Sequence, residues 1–194
     1  MNKLTHFFIF IFIISLIFPR NILQEWLKDN RSFIESNHKK IQFDIDIIDE
    51  LNGKNTQYKC EFIQGNLEKF YIEFGEKKLI SNGQYWINVE NRTKQAIFQS
   101  PDSTFLKNIS LISDFKKLQK LISLSILKKD VAIFYHNGIE IRLEFSNEEL
   151  NEVEMILSGK NIVFKNIQLQ KIEPPDSNLF KFNHSDFSII DLRE

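Results

Sequence analysis

The sequence predicts a mainly β fold with a few helices (α+β): one strongly curved antiparallel sheet, or unclosed β-barrel, with helices over one face or one mouth. Three observations predict it. Apolar and polar residues alternate with a period of two through most of the chain after residue 42, as half-buried strands require. Turn dipeptides such as Asn82-Gly83 and Asn137-Gly138 punctuate those runs, as hairpins require. Only two stretches show helical spacing, too few for the regular alternation of strand and helix in a parallel α/β fold.

Size and charge narrow the function classes. A chain of 194 residues suits one well-cored domain and is too short for two ordinary ones. With 25 Lys plus Arg against 26 Asp plus Glu, no excess positive field exists to attract nucleic acid or anionic head groups. A lone cysteine, Cys60, excludes an internal disulfide and any Cys-clustered zinc site, so stability must come from packing. The 19 phenylalanines, against 4 tyrosines and 2 tryptophans, read first as the codon bias of an AT-rich genome and second as a lipid-binding surface.

Along the chain, Lys3 precedes an apolar run at residues 7–18, broken only by Ser15 and closed by Pro19-Arg20-Asn21. That length suits the core of a signal peptide, whereas a membrane span needs roughly 20 residues. Residues 1–20 are therefore expected to be an export signal and residues 21–194 a single domain. An uncleaved signal anchor is the alternative, because no small-x-small triplet follows the run. Over residues 22–38, Ile22, Leu23, Trp26, Leu27, Phe33 and Ile34 share one helical face, a first amphipathic helix. The period then becomes two: Phe43, Ile45 and Ile47 make one strand, and Tyr58, Cys60 and Phe62 the next, across the turn at Asn52-Gly53. Phe70, Ile72 and Phe74 follow, then a turn at Gly75-Glu76, residues 77–81, a hairpin at Asn82-Gly83, residues 85–89 and residues 95–99. A helix over residues 113–128 interrupts the meander, with Ser113 as cap, Phe115, Leu118, Ile122 and Ile126 on one face, and Lys128 and Lys129 at its end. Strands resume at residues 131–135, 139–145, 153–157 and 161–171, with turns at Asn137-Gly138 and Ser158-Gly159, for nine or ten mostly antiparallel strands in all.

Catalytic constellations are hard to find. The four histidines are isolated, with no metal-ligand spacing, so no metal is expected. His184-Ser185-Asp186 lacks a nucleophile elbow, and the carboxylates fall on polar strand phases or in turns, where solvation explains them. Phosphate-binding glycine loops are absent, so neither a cofactor nor an enzymatic activity is expected. Cys60 shares a strand face with Tyr58 and Phe62, as a small buried hydrophobe does more often than a reactive thiol. Trp86 lies opposite the Tyr85, Ile87 and Val89 face, so both faces of its strand are apolar and both need cover. One face could pack on helices while the other lines a cavity, or both could be plain core.

Residues 67–74 followed by KLISNGQYWIN at 78–88 form a strand pair around a turn in which Asn82 stands where D-G-k-t-l-W motifs have Asp. NIVFKNIQL at 161–169, PPDSNLFKF at 174–182 and FSIID at 187–191 then close the chain in the order strand, l-F-x-F, short strand. In order and spacing these stretches resemble the LolA family of periplasmic outer-membrane lipoprotein carriers, over nearly all of residues 21–194. The resemblance implies an unclosed barrel with helices as a lid over a hydrophobic cavity that takes the acyl chains of lipoproteins. It implies a monomer, loaded by an inner-membrane lipoprotein-releasing ABC transporter and unloaded by an outer-membrane acceptor. The cavity wall is expected from Phe43, Ile45, Phe62, Phe70, Ile72 and Trp86, and the lid face from Phe115, Leu118 and Ile122. Family members carry a basic residue and Pro before the strand at 67–74, the basic residue helping to hold the lid shut. This chain has Gln64-Gly65 there, so the latching role passes to Gln64, an amide without the assistance of a charge.

The expected function is thus a periplasmic chaperone that carries acylated lipoproteins from inner to outer membrane. The alternative on the same fold is a periplasmic sensor or interaction module that binds a lipid or peptide. A shuttle has to be released from its signal. N-terminal sequencing of the exported form is expected to read a start between Pro19 and Gln24; recovery of the intact Met1-containing chain in membranes alone would favour the anchored sensor.

Overall fold

The computed structural model describes residues 22–49, 51–101, 115–122, 126–128, 130–136, 139–157 and 160–193. Twelve strands form one sheet: β1 (Lys39–Asp49), β2 (Lys54–Gln64), β3 (Lys69–Phe74), β4 (Lys77–Asn82), β5 (Trp86–Glu90), β6 (Gln95–Gln99), β7 (Ile126–Lys128), β8 (Val131–His136), β9 (Ile139–Ser146), β10 (Glu149–Leu157), β11 (Lys160–Lys171) and β12 (Ser188–Leu192). Their spatial order is β12-β6-β5-β4-β3-β2-β1-β11-β10-β9-β8-β7, so the curved sheet is unclosed, with β12 and β7 at its edges. Two antiparallel meanders meet where β1 pairs with β11. Among the described residues there are also helices α1 (Ile22–Asp29), α2 (Arg31–Ile34) and α3 (Phe115–Ile122), and a 3-10 turn at Ser177–Phe180. The mainly β, open and curved fold read from the sequence is the fold observed.

Local chemistry explains the turns. At the β4–β5 hairpin the Asn82 carboxamide oxygen accepts from the backbone N–H groups of Gln84 and Tyr85 at 2.9 and 3.1 Å, and Gly83 takes φ +95°, a conformation a side chain would resist. The first amphipathic segment is two helices rather than one. Asn30 donates from both its backbone and its side chain to the Trp26 carbonyl at 2.9 Å, which ends α1 and restarts the chain as α2. Leu23, Leu27 and Ile34 remain on one buried face across the break, with Ile22, Trp26 and Phe33 packed beside them.

Directly opposed residues in a ladder share a sheet face, so the register sorts the side chains. On β1, β2 and β11 one face is polar: Asp44 opposes Lys59 and Lys165, and Lys165 Nζ pairs with the Asp46 carboxylate at 3.1 Å. The other face carries the apolar phase. That apolar face continues through β3 and β4 to Trp86 on β5, and on β3–β6 the opposite face holds a cluster of Tyr71, Ile80, Ile87, Val89, Ala96 and Phe98. The cover there is the C-terminal segment, whose Phe180 completes the cluster while Leu179, Phe182 and Phe187 pack against it. The chain then joins the sheet as β12, parallel to β6, and the Arg193 guanidinium lies 4.7 Å from the Tyr85 ring centroid. Gly65 makes room for this strap: a Cβ there would come within 2.6 Å of Phe180 Cζ.

Three further sequence expectations change. The sheet has twelve strands rather than nine or ten, because a short edge strand, β7, and the parallel β12 both join it. The second helix runs only over Phe115–Ile122; Ile126 and Lys128 lie on β7, paired with β8, so Ile126 does not share the helical face. Backbone pairing at the sheet edge there overrides the helical spacing of the side chains. The strand expected from residue 67 begins at Lys69, after Asn66 has drawn the Glu68 and Lys69 N–H groups onto its carboxamide at 2.9 and 2.7 Å. The expected signal at 1–20, the cap at Ser113 and the turns at Asn137-Gly138 and Ser158-Gly159 lie outside the described residues.

The strap is a structural element on this account. Phe180→Ala is expected to cost about 3 to 5 kcal/mol in urea unfolding, and Gly65→Ala about 1 to 3 kcal/mol through overpacking. Wild-type stability in both would mean that the strap is an appendage.

Candidate functional site

The helix-covered face of the sheet is the candidate site. Its deepest row crosses five strands: Lys39 faces Gln64, Gln64 faces Phe70, Phe70 faces Ser81, and Ser81 faces Trp86. All five side chains are 0% to 4% exposed. The next row, Ile41, Phe62, Ile72 and Leu79, keeps Phe62 buried and leaves the other three half-buried. Further toward the β1–β2 hairpin tip stand Phe43 beside Cys60 and Phe74, then Ile45 beside Tyr58 and Phe164, then Ile47 beside Ile162. Apart from Cys60 these are half-buried. Burial therefore grades from closed to open along one apolar face.

All six expected wall residues stand on this face. They differ in environment. Phe62, Phe70 and Trp86 form a tight aromatic nest, with ring centroids 6.3 Å apart for Phe62 and Phe70 and 5.5 Å for Phe70 and Trp86. Phe43, Ile72 and Ile41 pack on its flank. Beside a bulge in β11, where Asn166 takes φ 52°, the Phe43 and Phe164 rings meet at 5.5 Å, and Ile45 opposes Phe164 across the ladder. Burial pushes the Cys60 thiol up to about 11, with the Asp44 charge adding to the shift, so it is a protonated packing group at neutral pH.

Helices close the other half of the face. Phe164 opposes Val153, Val153 opposes Leu143, and Leu143 opposes Ala132, which carries the face across to β8. There Leu23, Leu27 and Ile34 of α1 and α2 form a core with Ala132 and Phe145, and Trp26 meets Phe145 edge-on at 6.2 Å. Of the expected lid residues, Phe115 on α3 packs into this core and sits under the Arg31 guanidinium at 4.9 Å. The side chains of Leu118 and Ile122 lie outside the described residues.

Sheet and helices are joined by Lys39. Its Nζ donates to the carbonyl of Ile34, in the last turn of α2, at 2.8 Å and lies 5.4 Å from the Phe33 ring centroid. An ammonium at a helix C-terminus meets an otherwise orphaned carbonyl and the negative end of the helix. Gln64, the expected latch, is its cross-strand neighbour in the buried row. Sequence reading missed Lys39, although a signal existed: it stands in phase with Ile41, Phe43 and Ile45, on the apolar side of its own strand. Among the described residues no group of three His, Cys, Asp or Glu side chains is placed to hold a metal ion.

The chain matches no known family profile and no curated protein. Among solved structures it is similar to an uncharacterized conserved protein from Thermus thermophilus, with a TM-score of 0.47 at 8% identity over 88% of this chain and 98% of that one. It is also similar to a LolA superfamily protein from Nitrosomonas europaea, with a TM-score of 0.41 at 10% identity over 81% of this chain and 97% of that one.

The buried ammonium has a pH signature. Burial lowers Lys39 from 10.5 to about 8, so between those values the unfolded chain binds more protons than the folded one. Lys39 therefore penalises folding below about 8 and the penalty lifts as pH rises toward 10.5. Relative to Lys39→Met, the wild type is expected to gain stability across that window in paired urea titrations. A flat difference would mean that the ammonium stays solvated in the folded state.

Proposed function

We propose that this protein is a periplasmic carrier that holds the acyl chains of lipoproteins on the helix-covered face of its sheet and takes them from the inner to the outer membrane. The observation that carries the reading is the graded apolar face, sealed over Phe62, Phe70 and Trp86 and half-open at Phe43, Ile45 and Ile72. A plain core would be closed throughout. The physical problem is one of solubility: at ~0.8 kcal/mol per methylene, a chain of ~15 carbons resists water by roughly 12 kcal/mol. An apolar trough lowers that barrier with no covalent step.

In this mechanism α1, α2 and α3 are the lid, and the Lys39 contact to Ile34 is its clasp. Opening breaks the charge-assisted Lys39 bond and loosens the contact of Leu23, Leu27 and Ile34 with Ala132 and Phe145. Acyl chains then lie along Ile41, Phe43, Ile45 and Ile72, with Phe164 as the far wall. An inner-membrane lipoprotein-releasing ABC transporter supplies the energy for loading, and an outer-membrane acceptor that binds the chains more tightly receives them. Export of a monomer by the segment at 1–20 puts the carrier in the compartment between them.

A fluorescent acyl probe tests the assignment against stability. Phe43→Ala and Ile72→Ala are expected to weaken probe binding on the order of tenfold each while costing less than about 2 kcal/mol of stability, because their surroundings are already open. Phe70→Ala, inside the nest, is expected to lose about 3 to 5 kcal/mol. No probe binding by wild type, with Phe43→Ala as destabilising as Phe70→Ala, would replace the carrier with an ordinary core.

A further inference from the structure

The C-terminal strap does not lie flush on the sheet. Between residues 177–184 and the β3–β6 meander it leaves a groove of about 430 Å³, on the face opposite the acyl trough. That volume falls within the range of small-molecule sites. Its floor is apolar and mostly aromatic, made of Tyr85, Ile87 and Phe98 from the sheet with Phe180 and Phe182 from the strap. His184 closes one end, its ring stacked on Phe98 with centroids 6.3 Å apart.

The charged side chains that line the groove are cations alone, Lys69 and Lys181. Lys181 Nζ donates to the neutral carboxamide of Asn178 at 3.0 Å, and among the described residues neither ammonium has a carboxylate partner. Of the neighbouring acids, Asp176 caps the 3-10 turn through the Asn178 N–H, and Asp191 is neutralised by Arg193, whose guanidinium lies 4.7 and 5.1 Å from the Tyr85 and Phe98 ring centroids. Glu68 stands beside Gly83 rather than in the lining. Two ammonium groups over an aromatic floor attract an anion with an apolar body and repel a cation.

We propose that this groove is a second ligand site, for a small anionic amphiphile. Its carboxylate or phosphate head sits between Lys69 and Lys181, and its apolar body lies on the half-buried Tyr85 and Phe182. Such a ligand ties the strap to the sheet, and so stabilises the covered state of β3–β6 with the logarithm of its concentration once that exceeds Kd. The site is independent of the carrier reading, since it uses the other face of the sheet.

The test titrates the full chain with decanoate, decyl phosphate and, as the cationic counterpart, decylamine. Binding is followed by the His184 ring proton resonances, assigned by their loss in His184→Gln. Saturable shifts are expected with at least one of the two anions and none with decylamine, the comparison of the anions separating a fatty-acid head from a phosphate head. The double variant Lys69→Gln/Lys181→Gln is expected to weaken that binding by at least about tenfold, while Phe43→Ala, in the trough, leaves it unchanged. The site is overturned by unmoved His184 resonances with both anions, by an equal response to decylamine, or by binding that survives the loss of both lysines. Loss of acyl-probe binding in the trough variants alone bears on the carrier and not on this groove.

Discussion

An open sheet cannot bury its own apolar surface, and the need to cover two faces with other parts of the chain organises the whole molecule. A closed barrel would enclose one face and expose one. Here β12 and β7 remain as edges, and the sheet is apolar on both sides from β3 to Trp86 on β5. The chain meets this with two different covers. Helices from its early part and middle roof the β8–β10 region of one face, and the C-terminal strap seals the other face at β3–β6. The two covers differ in chemistry. The strap interlocks through aromatic rings, with Phe180 wedged at Gly65 and Phe98 among Tyr85, Phe182 and His184. The helices combine rings and aliphatic side chains, Trp26, Phe115 and Phe145 with Leu23, Leu27 and Ile34, and add an ammonium clasp from Lys39.

That difference bears on function. Interlocked aromatic packing fails all at once, because every ring removed leaves a void. The helix cover adds a charged hydrogen bond where it joins the sheet, Lys39 to Ile34, and along the same sheet face burial falls off from the Phe62, Phe70 and Trp86 nest toward Ile45 and Ile47. The lowered Lys39 pKa is the electrostatic record of the same arrangement: an ammonium is held out of water at the join, where a hydrophobic residue of equal length would pack without penalty. A charged group in such a position costs stability but ties α2 to one register on β1. Under the proposed carrier reading, in which the cover opens and recloses, a defined closed state has value that stability alone does not measure.

Assigning chemistry by face also separates the two candidate ligand surfaces. The trough is apolar around Phe43, Ile45 and Ile72, suited to hydrocarbon without a head group. The groove under the strap combines rings with Lys69 and Lys181, suited to an amphiphile with an acidic head. Because the register sets which side chains share a face, a slip of one residue in β3 would exchange Lys69 and Tyr71 for Phe70 and Ile72 and erase both surfaces together.

The sequence by itself determined the class of fold and the content of each face. Period-two alternation reflects the pleat of a strand and nothing beyond it, so Phe43, Ile45, Phe62, Phe70, Ile72 and Trp86 could be grouped before any contact was seen. The Asn82-Gly83 hairpin was legible because its chemistry is local, complete within four residues. Only the tertiary structure decided what covers each face and how tightly. Lys39 was invisible as a clasp because its partner is a helix-end carbonyl, a group every residue carries; the strap's closing strand was expected from the resemblance, but its seat was not, because Phe180 meets Gly65 across more than a hundred residues of chain. The Ile126 strand was misread for the same reason: an edge strand owes its state to the backbone it pairs with, and pairing between segments leaves no trace in the spacing of one of them.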